Sequence, residues 1–343
     1  MPKRKIRIKD LRRFVFVSDP QISPDGDKVA FVHTKVDYEN DGYIKHIWIW
    51  DRETGKAQQF TSGTGNDSNP RWSPDGEKLL FLSSKRQAGK KEPQLWVIPS
   101  SGGEARLIAE LEDAGVSDPE WASDSQRVLF TARVWEEKKP KTDVRVVRRL
   151  DYRLNGVGYY PGKRIHLFKV RLGGKTLQLT RGGFDIETAS WAPDNKSIAF
   201  VTNPASDADL SLVRDIYTIS SRGGEMARLT EGEHMISDFS WAPNGEEIAF
   251  LGHDMHAATA TNMDIWVMPS EGGAARNLTA EFDWSIGRGI GSDLRIKTPN
   301  QGAVWSPGSD MIYFLTGTIP TANVYRVDRD NGEVEQLTNG MSV

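Results

Sequence analysis

Cysteine is absent from this sequence. A disulfide framework, a thiolate metal site and a cysteine nucleophile are therefore excluded, and a reducing compartment suits the chain. No run of about 18 apolar residues occurs, so no membrane-spanning helix is expected. No secretory leader is expected either. Met1-Pro2-Lys3-Arg4-Lys5-Ile6-Arg7 is basic, as a leader begins, but Lys9, Asp10, Arg12 and Arg13 interrupt the apolar segment that would have to follow. Charge of one sign is not in excess: the formal net charge is −3, which implies no general pull toward nucleic acid or anionic membrane. A sustained 3.6-residue apolar period is also missing, apart from one short turn of helix over Ile6 to Phe14. These deficits predict a soluble, cytoplasmic chain built of strands.

What is abundant is a repeat. A Trp (Ile the first time) is followed by a Ser-Pro-Asp-Gly-like turn six times: Ile22-Ser23-Pro24-Asp25-Gly26, Trp72-Ser73-Pro74-Asp75-Gly76, Trp121-Ala122-Ser123-Asp124-Ser125, Trp191-Ala192-Pro193-Asp194-Asn195, Trp241-Ala242-Pro243-Asn244-Gly245 and Trp305-Ser306-Pro307-Gly308-Ser309. Each turn leads into an apolar strand such as Leu79-Leu80-Phe81-Leu82 or Ile248-Ala249-Phe250-Leu251. A third strand carries an aliphatic–aromatic pair: Ile47-Trp48, Leu95-Trp96, Leu167-Phe168, Ile216-Tyr217, Ile265-Trp266, Val324-Tyr325. A Gly-containing turn then precedes a fourth strand ending in Leu-Thr or a variant of it. Four-stranded units recurring at this period are the signature of a β-propeller. The fold class expected is all-β, a propeller of four-stranded blades over residues 1–343, with units at about 19–61, 69–109, 118–180, 187–230, 236–279 and 301–338. The anchor tryptophans are expected to fill space between blades, and the Asp-Gly pairs to serve the turns.

The anchors at 22, 72, 121, 191, 241 and 305 are spaced by 50, 49, 70, 50 and 64 residues. Two units therefore carry insertions, about Val134 to Arg164 and about Phe282 to Pro299, and scaffolds place function on such loops. After the sixth unit, Leu337-Thr338-Asn339-Gly340-Met341-Ser342-Val343 reads as the lead into a further blade. Either six blades close alone, with residues before Asp19 completing the ring, or a seventh has been cut off, which would expose strand edges and apolar faces.

The Trp-Ser-Pro-Asp-Gly-x-Lys-(Ile/Leu)-(Ala/Leu)-Phe unit with its Leu-Thr ending resembles the TolB-like propellers and the N-terminal propeller of the prolyl oligopeptidase family of serine peptidases, especially its acylaminoacyl-peptidase branch. The opening Phe16-Val17-Ser18-Asp19-Pro20-Gln21-Ile22-Ser23-Pro24-Asp25-Gly26 resembles the start of such a peptidase, as does Arg148-Arg149-Leu150-Asp151-Tyr152 in the first insertion. The resemblance covers the whole chain. It implies a seven-bladed propeller followed by an α/β-hydrolase domain with a Ser-Asp-His triad, the propeller limiting access to short peptides. In the acylaminoacyl branch the substrate is a blocked N-terminal residue on a short peptide. The chain departs from that pattern in lacking a Gly-x-Ser-x-Gly nucleophile elbow. Gly115-Val116-Ser117 runs into Asp118-Pro119, and Gly340-Met341-Ser342 is followed by Val343. No alternating β/α pattern appears. The expectation is that this chain hydrolyses nothing, and that no residue in it is catalytic.

Other candidate chemistry is sparse. His253-Asp254-Met255-His256 places two imidazoles and a carboxylate together, but no further ligand is adjacent, so it reads as a solvated loop and no metal or cofactor is expected. The stretch Thr131 to Ile165 holds ten Lys/Arg against four Asp/Glu, a net of +6, leaving −9 on the rest. No nucleic-acid motif accompanies it, so an acidic partner surface or a peptide carboxylate suits it better, with Arg148 and Arg149 as bidentate candidates. In the Gly-rich second insertion, Arg288 or Arg295 could hold a substrate or cross-domain carboxylate and Asp293 an amine or an Arg; no phosphate-loop pattern is present. The leading expectation is a non-catalytic, gating and substrate-selecting propeller of a serine peptidase. Its partners would be a C-terminal α/β-hydrolase domain and short peptides, with no nucleic acid, no membrane and scope for a homo-oligomer. The alternative is a stand-alone TolB-like interaction scaffold, against which the lack of a visible export signal counts. A propeller enzyme with a channel metal would need repeat-phased carboxylates or imidazoles, and no such set is visible in the sequence.

Overall fold

The computed structural model describes residues 4–5, 7–84, 92–136, 141–142, 144, 146–147, 149–150, 152–154, 158–159, 162–287, 302–318 and 321–340. It is a β-propeller of six four-stranded blades, each a meander. Blade one is β1 (Val15–Ile22), β2 (Lys28–Asp37), β3 (Gly42–Asp51) and β4 (Lys56–Gln59). Blade two is β5 (Asn66–Trp72), β6 (Lys78–Ser84), β7 (Gln94–Pro99) and β8 (Arg106–Ala109). Blade three is β9 (Val116–Trp121), β10 (Arg127–Trp135), β13 (Lys163–Arg171) and β14 (Leu177–Gln178), with the small hairpin β11 (Arg153–Leu154) and β12 (Gly158–Tyr159) inserted within it. Blade four is β15 (Thr188–Trp191), β16 (Ser197–Thr202), β17 (Asp215–Ser220) and β18 (Met226–Arg228). Blade five is β19 (Met235–Trp241), β20 (Glu247–His253), β21 (Asp264–Pro269) and β22 (Arg276–Asn277). Blade six is β23 (Val304–Trp305), β24 (Met311–Thr318), β25 (Thr321–Asp328) and β26 (Val334–Gln336). Short 3-10 turns occupy Ile8–Arg13, Ala208–Leu210 and Ala258–Ala260. No helix among the described residues is long and apolar enough to cross a membrane. Contacts group the chain into two compact units: Met1–Ala132 with Lys169–Leu177, and Arg133–Phe168 with Gln178–Asp293 and Asn300–Val343.

Each conserved-looking element of the repeat has a physical job. In the first turn, Ser23 Oγ donates to Asp25 Oδ1 (2.5 Å) and accepts the Lys28 N–H (2.9 Å), which closes the β1–β2 hairpin. Ser73 repeats this with Asp75 and Lys78, and Ser306 with Asp310 and Met311. The residue at the glycine position is left-handed throughout: Gly26, Gly76, Ser125, Asn195, Gly245 and Ser309 have φ of 78°, 72°, 56°, 58°, 77° and 59°. That conformation is what selects Gly, Asn or a small polar residue there.

The Leu-Thr ending is a two-hydrogen-bond clasp. Leu278 N–H donates to Ile265 O (2.8 Å), and the Ile265 N–H donates to Thr279 Oγ1 (3.0 Å). The same pair joins Phe60-Thr61 to Ile47, Leu179-Thr180 to Leu167, Leu229-Thr230 to Ile216 and Leu337-Thr338 to Val324. Blade two has Ile108 at the threonine position. There the β7–β8 register shifts between Leu95 and Trp96, and the Gln94 side chain bonds Leu111 N–H and Ala114 O instead. Thr279→Val keeps the shape but leaves the buried Ile265 N–H without its acceptor. It is expected to cost about 1–3 kcal/mol, read by chemical denaturation. Thr338→Val, where the same bond is exposed, is expected to cost less.

The core lies between consecutive blades. Within the first unit, Ala30 and Ile47 of blade one pack with Leu79, Phe81 and Ile98 of blade two. Within the second, Ala199, Val201 and Ile216 of blade four pack with Ile236, Ile248, Phe250 and Met268 of blade five, and blade five packs on Trp305, Ile312, Phe314 and Val327 of blade six. The anchors do fill these seams. Trp72 Nε1 donates to Gln21 O (3.0 Å), Trp121 Nε1 to Arg71 O (3.0 Å) and Trp305 Nε1 to Ser240 O (3.2 Å), in each case the residue just before the preceding anchor.

Candidate functional site

In an antiparallel meander, the second-to-third connection and both blade-to-blade connections fall at one end of the sheet. The Ser-Pro-Asp-Gly turns and the Gly-Gly turns fall at the other. Both insertions belong to the first end, one between β10 and β13, the other between β22 and β23. That end of the second unit is where polar side chains collect.

The root of the first insertion is closed by ions. The buried Arg164 guanidinium lies 2.5 Å from Glu136 and 3.3 Å from Asp185, and Asp185 also accepts the Ile165 N–H (2.7 Å). His166 lies beneath, its ring nitrogens 3.2 Å from Thr180 Oγ1 and from Gly182 O, with Phe184 edge-on to the ring. Farther out, Arg149 Nη1 donates to Gly183 O (2.8 Å) and Leu150 N–H to Asp209 Oδ2 (2.7 Å), so the insertion rests on the loops of blade four. The Leu150 N–H holds the Asp209 carboxyl below the usual carboxylate range. Part of the insertion's positive charge is thus met inside the chain, by Glu136, Asp185 and Asp209. Of the five residues singled out in the sequence, Arg149 is the one placed. Arg148, Arg288, Asp293 and Arg295 lie outside the described residues.

The stem of the second insertion is fixed by hydrogen bonds. Met263 N–H donates to Ser285 Oγ (3.1 Å), Thr316 Oγ1 to Ser285 O (2.9 Å) and Gly287 N–H to Leu315 O (2.9 Å), with Ile286 buried between them. Phe282 packs edge-on against Phe314 and Tyr325. In the loop of blade five, His253 Nδ1 accepts the Met255 N–H (3.1 Å), and His256 Nδ1 lies 2.7 Å from Asp254 Oδ1. These imidazoles serve their own loop, and among the described residues no group of three or more His, Asp or Glu is arranged to hold a metal ion.

One position does recur in phase with the anchors, and in three of the six blades it is a carboxylate. Three residues before each anchor stand Asp19, Asn69, Asp118, Thr188, Asp238 and Gly302. The first three are left-handed, with φ of 51°, 52° and 47°, and the strand pairing slips beside them. Both Asp19 oxygens accept from Arg71 Nη1 (3.0 Å), Asp118 accepts from Thr131 Oγ1 (3.0 Å), and Asp238 accepts from its neighbour Phe239 N–H (2.9 Å). Burial pushes the Asp238 carboxyl up. A Cβ on Gly302 would sit 2.2 Å from Asp238 Oδ2, so the sixth position is glycine by close approach. The signal, Ser-Asp-Pro-x before an anchor, was present at residues 18–21 and 117–120 but was absorbed into the strand pattern.

Four imidazoles, the buried His166 and His253 and the half-buried His33 and His234, are held below the ordinary range, loss of hydration being the largest cause. The fold therefore prefers the neutral ring. That stability is complete above the unfolded value of 6.5 and is lost as pH falls through the lower folded value. The melting temperature is expected to fall between about pH 7.5 and about pH 5.5. His166→Gln, which cannot gain the charge, is expected to shrink that difference.

Comparison with known proteins places this arrangement. Residues 8–149 match the TolB beta propeller domain. The uncharacterized peptidase YuxL of Bacillus subtilis (strain 168) is 34% identical over 335 residues, which span 95% of this chain and 50% of that protein. The chain thus covers about half the length of that relative. An acylaminoacyl peptidase solved in complex with Z-Gly-Gly-Phe-chloromethyl ketone superposes with a TM-score of 0.73 at 20% identity, over 97% of this chain and 47% of that one. The β-propeller domain of the Trilobed protease from Pyrococcus furiosus gives 0.62 at 18% identity, over 96% and 88%. At these identities the two structures speak to fold. The chain is a β-propeller whose residues 8–149 match the TolB beta propeller domain, and its fold is similar over nearly its whole length to part of an acylaminoacyl peptidase and to the propeller domain of the Trilobed protease.

Proposed function

We propose that this chain is the non-catalytic propeller of a serine peptidase that cleaves short or N-acylated peptides. In this reading a Ser-Asp-His hydrolase domain follows residue 343, and the propeller restricts and selects what reaches it. The observation that supports it most is the coverage: a peptidase-named relative matches 95% of this chain with half of its own length. The two insertions emerge at one end of the blades, the arrangement a docking face needs. Arg148, Arg149, Arg288, Asp293 and Arg295 are the side chains we assign to substrate carboxylates or amines or to the hydrolase domain. A stand-alone interaction scaffold is the second reading, favoured by the TolB match over residues 8–149.

The reading frame beyond the Val343 codon tests the proposal. It is expected to run through a further Trp-Ser-Pro-Asp-Gly-like unit into a Gly-x-Ser-x-Gly. The chain alone is expected to leave N-acetyl-alanine p-nitroanilide intact and to take up no fluorophosphonate probe. A native stop codon with no hydrolase gene beside it would overturn the peptidase reading in favour of the scaffold. Turnover by the pure chain would overturn both.

A further inference from the structure

The imidazoles differ in what their ring nitrogens bond. His166 faces Thr180 Oγ1 and Gly182 O, and a hydroxyl can either donate or accept. His256 Nδ1 faces the Asp254 carboxylate, which accepts from a neutral or a charged ring alike. His253 is different. Its Nδ1 accepts the Met255 N–H (3.1 Å), and a main-chain N–H can only donate. Among the described residues this is the one imidazole hydrogen bond that protonation must break.

That bond sits where the backbone most needs holding. It closes the first turn of the loop joining β20 to β21 in blade five. Met255 is left-handed, with φ of 61°, and so is Ala258, with φ of 51°; neither is glycine. Such backbone persists only where surrounding contacts fix it. Here the fixings are few. Met255 O accepts the Ala258 N–H (2.8 Å), and the buried Thr261 hydroxyl accepts the Ala257 N–H (2.9 Å). Residues 256–260 are exposed, so His253, itself 5% exposed, ties the near end of the loop to the blade.

We propose that neutral His253 is a pH-sensitive latch on the loop 254–261, and that protonating its ring frees the loop while the blade stays folded. The titratable groups around the ring are Asp254 and His256 in the loop, Asp264 in β21 and His234 just before β19. The two carboxylates favour the charged ring and the two imidazoles oppose it. Loss of hydration is the largest influence, so the ring is held below its ordinary value of 6.5. The latch is therefore complete above that value and opens as pH falls through the lower folded one. The loop is a second-to-third connection and lies at the end of the blades from which the insertions emerge, so its release alters that face. The inference rests on the geometry of the loop and does not depend on the peptidase reading.

The test uses the whole chain labelled with 15N-methionine and ring-15N-histidine. Met255 and Met268 are assigned by their loss in Met255→Leu and Met268→Leu, and the His253 ring by its contact with the Met255 amide. Met268 is buried in β21 and reports the fold of the blade. Between about pH 7.5 and about pH 5, the protection factor of the Met255 amide against hydrogen exchange is expected to fall about threefold or more. The fall is expected to share its midpoint with the His253 ring titration and to leave the Met268 signal in place. His253→Asn supplies an oxygen that accepts from the N–H two residues on without titrating, and is expected to abolish the fall. His256→Gln removes the other loop imidazole and is expected to retain it. Constant Met255 protection, or a ring that stays neutral throughout, overturns the proposal. So does a fall that persists in His253→Asn, one that vanishes in His256→Gln, or one that comes with loss of the Met268 signal, which is melting of the blade. If His253→Asn does not fold, the two midpoints in the unaltered chain decide: coincidence supports the latch and separation overturns it.

Discussion

Phe250→Ala is expected to destabilise the chain by about 3–5 kcal/mol, measured by urea unfolding of the intact protein. Phe250 is completely buried, lies parallel to Trp266 at 6.1 Å between ring centres, and takes the edge of His234 at 5.5 Å. It belongs to the cluster that joins blade four to blade five, so its loss empties a seam rather than one sheet. Against a typical total of about 5–15 kcal/mol, that is a large share. Phe81, Phe130 and Phe200 hold the same position in their blades and are equally buried. Phe31 holds it in blade one but is only partly buried. Phe31→Ala is accordingly expected to cost about half as much or less. Equal losses at Phe31 and Phe250 would mean that burial at this position does not set its contribution.

That contrast marks how far the sequence reaches. Six Phe residues at one phase look alike as letters, and their period is enough to give the strands, the meander and the blade count. The anchors, the Asp-Gly turns and the Leu-Thr ending were equally legible, because each is a local device with a fixed offset. What was not legible is what depends on neighbours. Ile22 stands where three blades have a tryptophan at most 7% exposed, yet it is 70% exposed. The phased Asp19 and Asp118 were hidden inside strands, since a bulge residue with φ near 50° leaves no mark in an apolar pattern. The contact of Leu150 with Asp209 spans 59 residues, and no spacing rule anticipates it.

The second large effect is expected at Asp67, in β5 of the first unit. Its carboxylate is completely buried and accepts a 2.5 Å hydrogen bond from Ser83 Oγ, itself 2% exposed. His46 Nδ1 of the neighbouring blade lies 3.6 Å from its other oxygen. A buried carboxylate is tolerable only while its partners hold it, and removing one partner costs more than the pair contributes. His46→Leu is therefore expected to cost about 3–5 kcal/mol, and Ser83→Ala about 1–3 kcal/mol. Replacing both ends, His46→Leu with Asp67→Leu, removes the charge along with its partner. The loss in the double variant is expected to fall short of the sum of the two single losses by a coupling of about 1–3 kcal/mol. If instead the two losses simply add, Asp67 draws its support from elsewhere in the seam and His46 is a spectator. The distinction bears on assembly as well as stability. Asp67 and His46 come from adjacent blades, so a coupled pair fixes the register between blades one and two, while the apolar residues around it, Ile47, Leu79 and Phe81, supply the burial without specifying the alignment.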